Sequence, residues 1–145
     1  ARLEFCRKQL AVQHVIDSAR KDFVDALKQV AHGDLPTSVF AATGNAKSMM
    51  AAFDLVAHGG RLMFVGLVQG DLTFNDPNFH RRELTLLASR NARSQDFDRI
   101  IQLIEENRID TNPWITHRAS FDNMIRDFPA WSRPETGVIK AMVEV

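Results

Sequence analysis

The chain has 145 residues, 45% hydrophobic and 25% charged, a composition that predicts one globular domain with a sizeable core and excludes disorder throughout. Eighteen Lys and Arg residues balance eighteen Asp and Glu residues, so no net charge favours nucleic acid or an anionic membrane surface. A single cysteine, Cys6, excludes an intramolecular disulfide and a multi-thiolate metal centre, and no apolar run approaches the ~18 residues of a membrane span. A reducing, cytoplasmic setting is expected.

Helix and strand patterns alternate from the start of the chain. Residues 2–10 have the spacing of a helix, and His14–Asp17 reads as a short apolar strand. Apolar residues then recur at i, i+3, i+4 and i+7, which predicts a helix over residues 20–32 that ends at Gly33.

The stretch 38–67 is the most informative part of the sequence. It predicts a buried strand at Ser38–Ala42, a helix with Asn45 as its N-cap, a Gly-Gly stop and a second strand at Arg61–Leu67. Two strands that are apolar on both faces and joined by a helix belong in a parallel sheet covered on both sides. This is half of a nucleotide-binding fold, although the motif G-x-G-x-x-G is absent from the sequence.

A third strand follows a turn-rich segment. Leu72 and Phe74 alternate as a possible short strand, a helical turn is expected near Asn78–Arg82, and Leu84–Ala88 reads as a strand. The alternation up to residue 88 predicts an α/β fold with a doubly wound parallel sheet.

The last third has a different character. A helix is predicted over Ser94–Asn107 with Ser94 as its cap, followed by an extended piece at Trp114–His117, a helix at Ser120–Phe128 and a terminal strand at Val138–Val145. We expect a small α+β tail here.

Two glycine-bearing strand ends are candidates for a ligand site. Thr43-Gly44 follows one predicted strand and Val65-Gly66-Leu67 ends the next, at the edge of an α/β sheet where ligands bind. Their backbone N–H and C=O groups suit a carboxamide, which needs one donor and one acceptor. Ser89-Arg90-Asn91 follows the third strand and is polar. From spacing alone, a tight turn at Gly44 and a plain loop after Ala88 are equally good interpretations.

Other chemistry finds no support in the sequence. The five histidines and one cysteine lack metal-ligand spacing, the nucleophile motif G-x-S-x-G is absent, and basic residues do not interleave with aromatic ones. The sequence therefore predicts no catalytic residue, no metal ligand and no nucleic-acid partner.

Five ordered motifs carry a family resemblance. They resemble the C-terminal half of the medium-chain, zinc-type alcohol dehydrogenases, and the opening RLEFCRKQLAVQHVID matches the segment after that family's second Rossmann strand. SRNA (89–92) is similar to the branch acting on polyols and sugar acids. The five motifs are FAATGN (40–45), GGRLMFVGL (59–67), HRRELTLLAS (80–89), RIDTNPWITHR (108–118) and GVIKAMVEV (137–145).

The resemblance implies NAD or NADP as cofactor and assigns roles to groups of residues. One group would line the nicotinamide and its ribose, a second would hold the carboxamide through its backbone, and a third would face the cofactor or substrate cleft. Two basic residues would lie near the adenosine ribose and the pyrophosphate. In that order the residues are Ala42, Thr43 and Gly44; Val65, Leu67, Leu87 and Ser89; Arg90 and Asn91; and Arg2 and Lys140. Gly66 is also expected to bind the cofactor.

The resemblance also implies a domain plan. Residues 1–90 would form part of an NAD(P)-binding Rossmann domain, contributing strands 3–6 of six, and residues 91–145 would return to the catalytic domain. The parent enzyme would oxidise a secondary alcohol of a polyol or sugar acid, with zinc bound by residues outside this chain. The chain would then be a fragment that is inactive alone; the alternative is a non-catalytic nucleotide-binding, regulatory or assembly module. Ala41 departs from the family, where an acidic residue is common.

Two further expectations concern packing. Without the central strands of the family's sheet, residues 38–88 should keep a three-stranded parallel core, while residues 1–32 re-dock or exchange with another copy. A homo-oligomer is expected through the sheet edge made by Leu72–Phe74 and Leu84–Ala88.

Overall fold

Two helices begin the computed structural model, which describes residues 2–145, and strands and helices alternate after them. Three short 3₁₀ turns, at Ala52–Leu55, Asn112–Trp114 and Pro134–Thr136, complete the secondary structure of this part of the chain. The helices are α1 (Arg2–Gln9), α2 (Phe23–Val30), α3 (Ala46–Ala51), α4 (Asp76–Arg81), α5 (Ser94–Glu105) and α6 (Phe121–Trp131). The strands are β1 (Ser38–Ala41), β2 (Arg61–Phe64), β3 (Thr85–Ala88), β4 (Ile115–Ser120) and β5 (Lys140–Glu144).

The chain divides into two compact units. One contains residues 16–91, and the other combines residues 92–145 with the N-terminal segment up to Val15. The predicted division into 1–90 and 91–145 refers to the longer chains of the family and stays a prediction. Within residues 2–145, every helix is too short or too polar to traverse a lipid bilayer.

A three-stranded parallel sheet organises residues 16–91. Its order is β1-β2-β3, with Ser38 beside Arg61 and Arg61 beside Thr85 at the start of the ladder. Each connection is a crossover that contains a helix, which is what parallel neighbours require. The predicted α/β class and the parallel core of residues 38–88 are confirmed.

Side-chain caps fix the helices that follow the strands. The Asn45 Oδ1 atom accepts a hydrogen bond from the Ser48 N–H at 3.0 Å, and Asn75 Oδ1 does the same for Asn78 at 2.8 Å. These bonds satisfy first-turn donors that a helix leaves unpaired. The predicted Asn45 cap is confirmed, and it places the start of α3 just beyond the end of β1.

The two faces of this sheet are unequal. Leu62 of β2 is fully buried against Met49, Phe53 and Val56 from the α3 segment and the turn after it. On the other face, Phe40 remains 67% exposed. Only one face of the sheet therefore has a complete core within residues 16–91.

The strand predicted at His14–Asp17 is wrong, because this segment has no regular structure. Its backbone has no neighbouring strand to pair with: the Val15 carbonyl instead accepts a hydrogen bond from the Arg7 guanidinium at 2.9 Å. The Asp17 carboxylate accepts a hydrogen bond from the Ala19 N–H at 2.9 Å, which turns the chain. The parallel sheet therefore has the three strands expected of residues 38–88, with none contributed by residues 1–32.

The short strand proposed at Leu72 and Phe74 is also wrong. The Phe74 ring stacks on Phe53 with centroids 4.5 Å apart and contacts Phe79 at 5.3 Å, while Leu72 packs against the same core. Burial of these side chains replaces strand pairing, so β3 alone forms this edge of the sheet.

The second unit is built around a parallel β-α-β arrangement. β4 and β5 pair in parallel with an irregularity between Ile115 and His117, and α6 connects them. The tail predicted as α+β thus contains a crossover of its own. The ring of Phe5 in α1 packs edge-on against Trp114 at 5.9 Å, so the N-terminal segment docks within this unit.

The cap of α5 lies one residue earlier than predicted. Ser94 is the first helical residue and Arg93 occupies the N-cap position. The backbone N–H of Arg93 donates to the Asp96 carboxylate at 2.8 Å, so a side chain in the first turn supplies the bond.

Candidate functional site

Gly44 and Gly66 lie against each other where β1 and β2 end. A Cβ atom built on Gly66 would lie 2.4 Å from the Gly44 nitrogen, and one on Gly44 would lie 3.2 Å from the Leu67 oxygen. Gly44 also has a φ of +63°, in the left-handed region. The two strand ends therefore meet at one edge of the sheet, as the sequence pattern predicted, and only glycine at residue 66 allows this approach.

Backbone hydrogen bonds hold this edge. The Ala41 carbonyl accepts two bonds, from the N–H groups of Val65 at 3.0 Å and Gly66 at 2.9 Å. On the other side of β2, the Ser89 N–H donates to the Phe64 carbonyl at 2.9 Å. These bonds thus hold the loops after β1, β2 and β3 side by side at the same edge of the sheet.

One acceptor and one donor remain available beside the glycine contact. Within the described residues 2–145, no hydrogen bond engages the carbonyl of Val65 or the N–H of Leu67. A carboxamide offers an N–H donor and a C=O acceptor, so these two backbone groups have the complementary chemistry. The residues present therefore fit a nicotinamide.

The turn after β1 is fixed by local hydrogen bonds. The Asn45 N–H donates to the Thr43 hydroxyl oxygen at 3.2 Å, and the Asn45 side chain then caps α3. The edge is consequently formed by ordered backbone with little bulk at Gly44.

A cavity of about 710 Å³ opens beside the glycine contact. Its walls are mainly apolar, and the polar side chains on it come from the three residues after β3. The lining residues are Met49, Phe64, Val65, Gly66, Leu67, Val68, Leu72, Ala88, Ser89, Arg90 and Asn91.

The structure brings most of the predicted cofactor residues to this edge. Six of them line the cavity, Ala42 and Gly44 contact Gly66 from outside it, and Thr43 lies between these two in the turn. Leu87 lies in β3 beside Met63, and because Thr85 and Ser89 both donate to β2, the Leu87 backbone also faces β2. Its predicted role in holding the carboxamide stays a prediction.

Arg2 and Lys140 belong to the other unit. Arg2 begins α1 and borders a cavity of about 470 Å³, whereas Lys140 begins β5 and borders a separate one of about 550 Å³. The structure does not bring these two basic side chains into one cavity. Their predicted roles near the adenosine ribose and the pyrophosphate stay predictions.

Sequence reasoning missed the apolar wall of the cavity. Met49 was expected only in the helix core, and it is 1% exposed, yet it borders the cavity together with Val68 and Leu72. The signal available was the alternation of Leu72 and Phe74, which we interpreted as a strand.

Ionisable groups at the edge are few. Arg90 and Asn91 follow β3, and Arg90 takes part in no salt bridge within residues 2–145. No cluster of three or more His, Cys, Asp or Glu side chains that could hold a metal occurs in that same part of the chain.

Residues 1–106 match the family model of the zinc-binding dehydrogenases. The chain therefore belongs to this family. Its predicted resemblance to the C-terminal, cofactor-binding half of medium-chain, zinc-type alcohol dehydrogenases is confirmed.

Individual relatives agree with this assignment. The chain is 37% identical to an L-galactonate-5-dehydrogenase of Escherichia coli K12 over 114 residues, which are 79% of this chain and 34% of the relative. It is 26% identical to a D-xylulose reductase of Saccharomyces cerevisiae over 141 residues, covering 94% of this chain and 40% of the relative. The chain thus spans about a third of the length of the curated relatives it matches.

A solved structure supports the fold. An alcohol dehydrogenase from Escherichia coli CFT073, crystallised with NADH, superposes with a TM-score of 0.85 over 99% of this chain and 42% of its own, at 19% identity. At this identity the comparison supports the Rossmann-like fold.

Proposed function

We propose that this chain is the cofactor-holding part of a zinc-dependent, NAD(P)-linked oxidoreductase that oxidises a secondary alcohol of a polyol or sugar acid. In this reaction the alcohol carbon loses a hydride to the nicotinamide ring, the hydroxyl proton is released, and a ketone forms. Zinc, held by residues outside this chain in the family, would supply the Lewis acid that polarises the alcohol oxygen.

The observation that carries the proposal is the unpaired backbone at the glycine contact. The Val65 carbonyl would accept from the carboxamide N–H and the Leu67 N–H would donate to its oxygen. Gly66 and Gly44 contact each other through backbone atoms and have no side chains. A flat ring can therefore lie across the two strand ends.

Neighbouring side chains would orient the ring and exclude water. Val65, Leu67 and Val68 form an apolar border on the cavity, and an apolar surrounding strengthens the hydrogen bonds made inside it.

Relatives support the substrate class. The names of the matched proteins refer to a sugar acid, L-galactonate, and to a sugar, D-xylulose, whose reduction gives a polyol. The structural neighbour solved with NADH supports a nicotinamide dinucleotide.

Cofactor binding is tested by titrating the chain with NADH and following nicotinamide fluorescence. Leu67→Pro removes the proposed donor and should weaken NADH binding about threefold to tenfold, whereas the matched control Leu67→Ala keeps the N–H. Equal affinities for the two variants would contradict the proposed carboxamide contact.

Catalysis is tested by joining the chain to the N-terminal part of the Escherichia coli relative. With zinc, NAD or NADP and a panel of polyols and sugar acids, the joined protein should reduce the dinucleotide. NADH binding without turnover on any alcohol would instead favour a non-catalytic nucleotide-binding module.

The proposal includes self-association. β3 has an open edge, since Leu72 and Phe74 pack inward instead of extending the sheet. Pairing of β3 with a second copy would satisfy its free backbone groups and make a homo-oligomer.

A further inference from the structure

We propose that the opposite edge of the parallel sheet, where its strands begin, carries a separate binding site for a phosphate anion, either inorganic phosphate or the phosphate end of a small metabolite. A cavity of about 270 Å³ lies there, bordered by the end of α2, the turn before β2 and the end of α4. The contact between Gly44 and Gly66 lies where the strands end, so the two sites occupy opposite edges of one unit. The inference does not depend on the proposed dehydrogenase function.

The charge of this cavity carries the inference. Lys28, Arg81 and Arg82 border it, and Asp34 is its one acidic lining residue. Three permanent positive charges therefore meet one negative charge, in a chain whose basic and acidic residues are equal in number. Guanidinium and ammonium groups are the side-chain donors that proteins use to bind phosphate oxygens.

The three cations come from the ends of two helices. Lys28 lies in the last turn of α2, Arg81 ends α4 and Arg82 is the C-cap of α4. A cation near the C-terminus of a helix interacts favourably with the helix dipole, which accounts for each position singly. It does not account for two helix ends that bring like charges to one cavity, where the charges repel each other unless an anion lies between them.

Most of the hydrogen-bonding capacity of these cations is unused. Within residues 2–145 none of the three takes part in a salt bridge, and no side-chain hydrogen bond engages Lys28. Arg81 donates from Nη2 to Asn78 at 2.9 Å, and Arg82 donates only from Nη1, to two backbone carbonyls at 3.2 and 2.9 Å. The other guanidinium nitrogens and the ammonium group are available to an anion.

The base of the cavity is apolar. Leu35, Val56 and Ala57 line it and are buried, and an apolar surface on one side strengthens the attraction between cation and anion. The His58 N–H adds a backbone donor, because no hydrogen bond engages it in the part of the chain that the structure describes. Pockets for drug-sized ligands begin at about 300 Å³, so this smaller cavity suits a phosphate group better than a whole nucleotide.

The site is tested by titrating the ¹⁵N-labelled chain with inorganic phosphate and, separately, with glycerol 3-phosphate. The backbone amide signals of Gly33, Ala57 and His58 should shift, and those of Gly44 and Gly66 should not. Both ligands should bind, and the tighter one identifies the source of the phosphate. Arg81→Gln should weaken binding about three- to tenfold, because it removes one charged donor from a partly solvated site.

Arg99→Gln is the matched control. Arg99 lies in α5 of the other unit, and its Nη1 donates to the Gln102 side-chain oxygen at 3.0 Å, much as Arg81 donates to Asn78. Its loss removes the same charge from the chain and should leave phosphate affinity unchanged.

Asp34→Asn should change the affinity in the opposite direction. The substitution removes the acidic lining residue and keeps Oδ1, which accepts a hydrogen bond from the Leu35 N–H at 2.7 Å. Phosphate should then bind about two- to fivefold more tightly.

Three results would overturn the site: no amide shifts with either ligand in the unaltered chain, shifts centred on another part of the chain, or equal losses of affinity in Arg81→Gln and Arg99→Gln. Each of them would leave the proposed dehydrogenase function standing, because that function is tested by NADH binding at the other edge of the sheet. Failure of NADH to bind would in turn leave the phosphate site unaffected.

Discussion

At the scale of single residues, Gly66 determines the geometry of the ligand edge. Its missing side chain lets the end of β2 contact the end of β1 through backbone atoms, and those atoms cannot move aside as a flexible side chain would. The unpaired groups of Val65 and Leu67 owe their placement to this contact.

Gly66→Ala should both destabilise the chain and weaken NADH binding. The new Cβ would lie 2.4 Å from the Gly44 nitrogen, so the strand ends must separate, at a cost of about 1–3 kcal/mol in the free energy of unfolding. Urea denaturation and an NADH titration measure the two effects.

Gly59→Ala is the matched control for this change. Gly59 has a φ of +67° and open space around it, so alanine there should cost about 1–2 kcal/mol through backbone conformation alone. It lies before β2, at the other end of the strand, and should leave NADH affinity unaltered. Similar affinity losses in both variants would show that general destabilisation, and not the strand contact, is responsible.

An exposed ion pair gives the chain one acid-sensitive contact. The Arg20 side chain donates to Asp22, with Nε 2.8 Å from Oδ1, and this bond lowers the pKa of the Asp22 carboxyl. Because the pKa is lower in the folded state, the ion pair stabilises the chain above the ordinary aspartate pKa near 4. This stabilisation is lost as the pH falls through the folded-state pKa.

Asp22→Asn should therefore reduce stability slightly at pH 7 and have no effect near pH 2. Thermal melts at the two pH values measure this, with Asp25→Asn, in the helix that Asp22 precedes, as the control for removing a carboxylate. A larger effect in acid than at neutral pH would contradict the assigned pair. The effect is small since the pair is solvent-exposed.

At the scale of elements, the sheet derives its stability from one face. Leu62 in β2 is fully buried between the helical segment after β1 and its neighbouring strands, whereas its register partner Leu86 in β3 is 39% exposed. Replacing leucine by alanine at these two positions therefore compares the stability contributed at the centre of the core with that at its margin.

Leu62→Ala should cost about 3–5 kcal/mol in the free energy of unfolding, because it leaves a cavity among close-packed side chains. Leu86→Ala should cost clearly less, since part of its surface already contacts water. Denaturant unfolding of the two variants gives the comparison. Equal costs would show that β3 is covered in solution, most simply by a second copy.

At the scale of the whole molecule, each unit exposes apolar side chains. Phe40 of the sheet unit is 67% exposed, and Ile125 on α6 of the other unit is 81% exposed. Such surfaces favour association.

Ala88→Pro should shift the chain toward monomer if copies pair through β3. Ser89 and Thr85 donate inward to β2, so by alternation the Ala88 N–H faces the open edge, and proline removes this donor. Light scattering after gel filtration reports the mass over a concentration series. Ser38→Pro, on the opposite edge strand, is the control; dissociation by this change alone would assign the interface to β1.

The sequence predicted the parts of the fold that depend on local patterns. The strands of residues 38–88, the Asn45 cap and the meeting of Gly44 with Gly66 follow from hydrophobic runs and turn residues close in sequence. The strand prediction at His14–Asp17 failed because a strand needs a neighbouring strand for its backbone hydrogen bonds. A pattern of apolar residues does not show whether that neighbour is present.

The predicted site was accurate at its backbone and incomplete at its walls. The alternation of Leu72 and Phe74 is the same for a strand and for two side chains turned into a core, and only the position of Phe53 distinguishes them. The contributions of Arg2 and Lys140 depend on packing between distant segments, which spacing along the chain does not encode.

The discontinuity of the second unit dictates an order of events during folding. Its N-terminal piece ends at Val15 and is separated from residues 92–145 by the whole of residues 16–91. Bringing the two parts together closes a long loop, which costs conformational entropy. The sheet of residues 16–91 is contiguous in sequence and avoids this cost. Trp114 and Trp131 both belong to the late unit. In refolding followed by pulsed hydrogen exchange and by fluorescence, protection of the β2 amides should therefore precede the change in tryptophan emission, so that the ligand edge forms before the N-terminal segment joins residues 92–145.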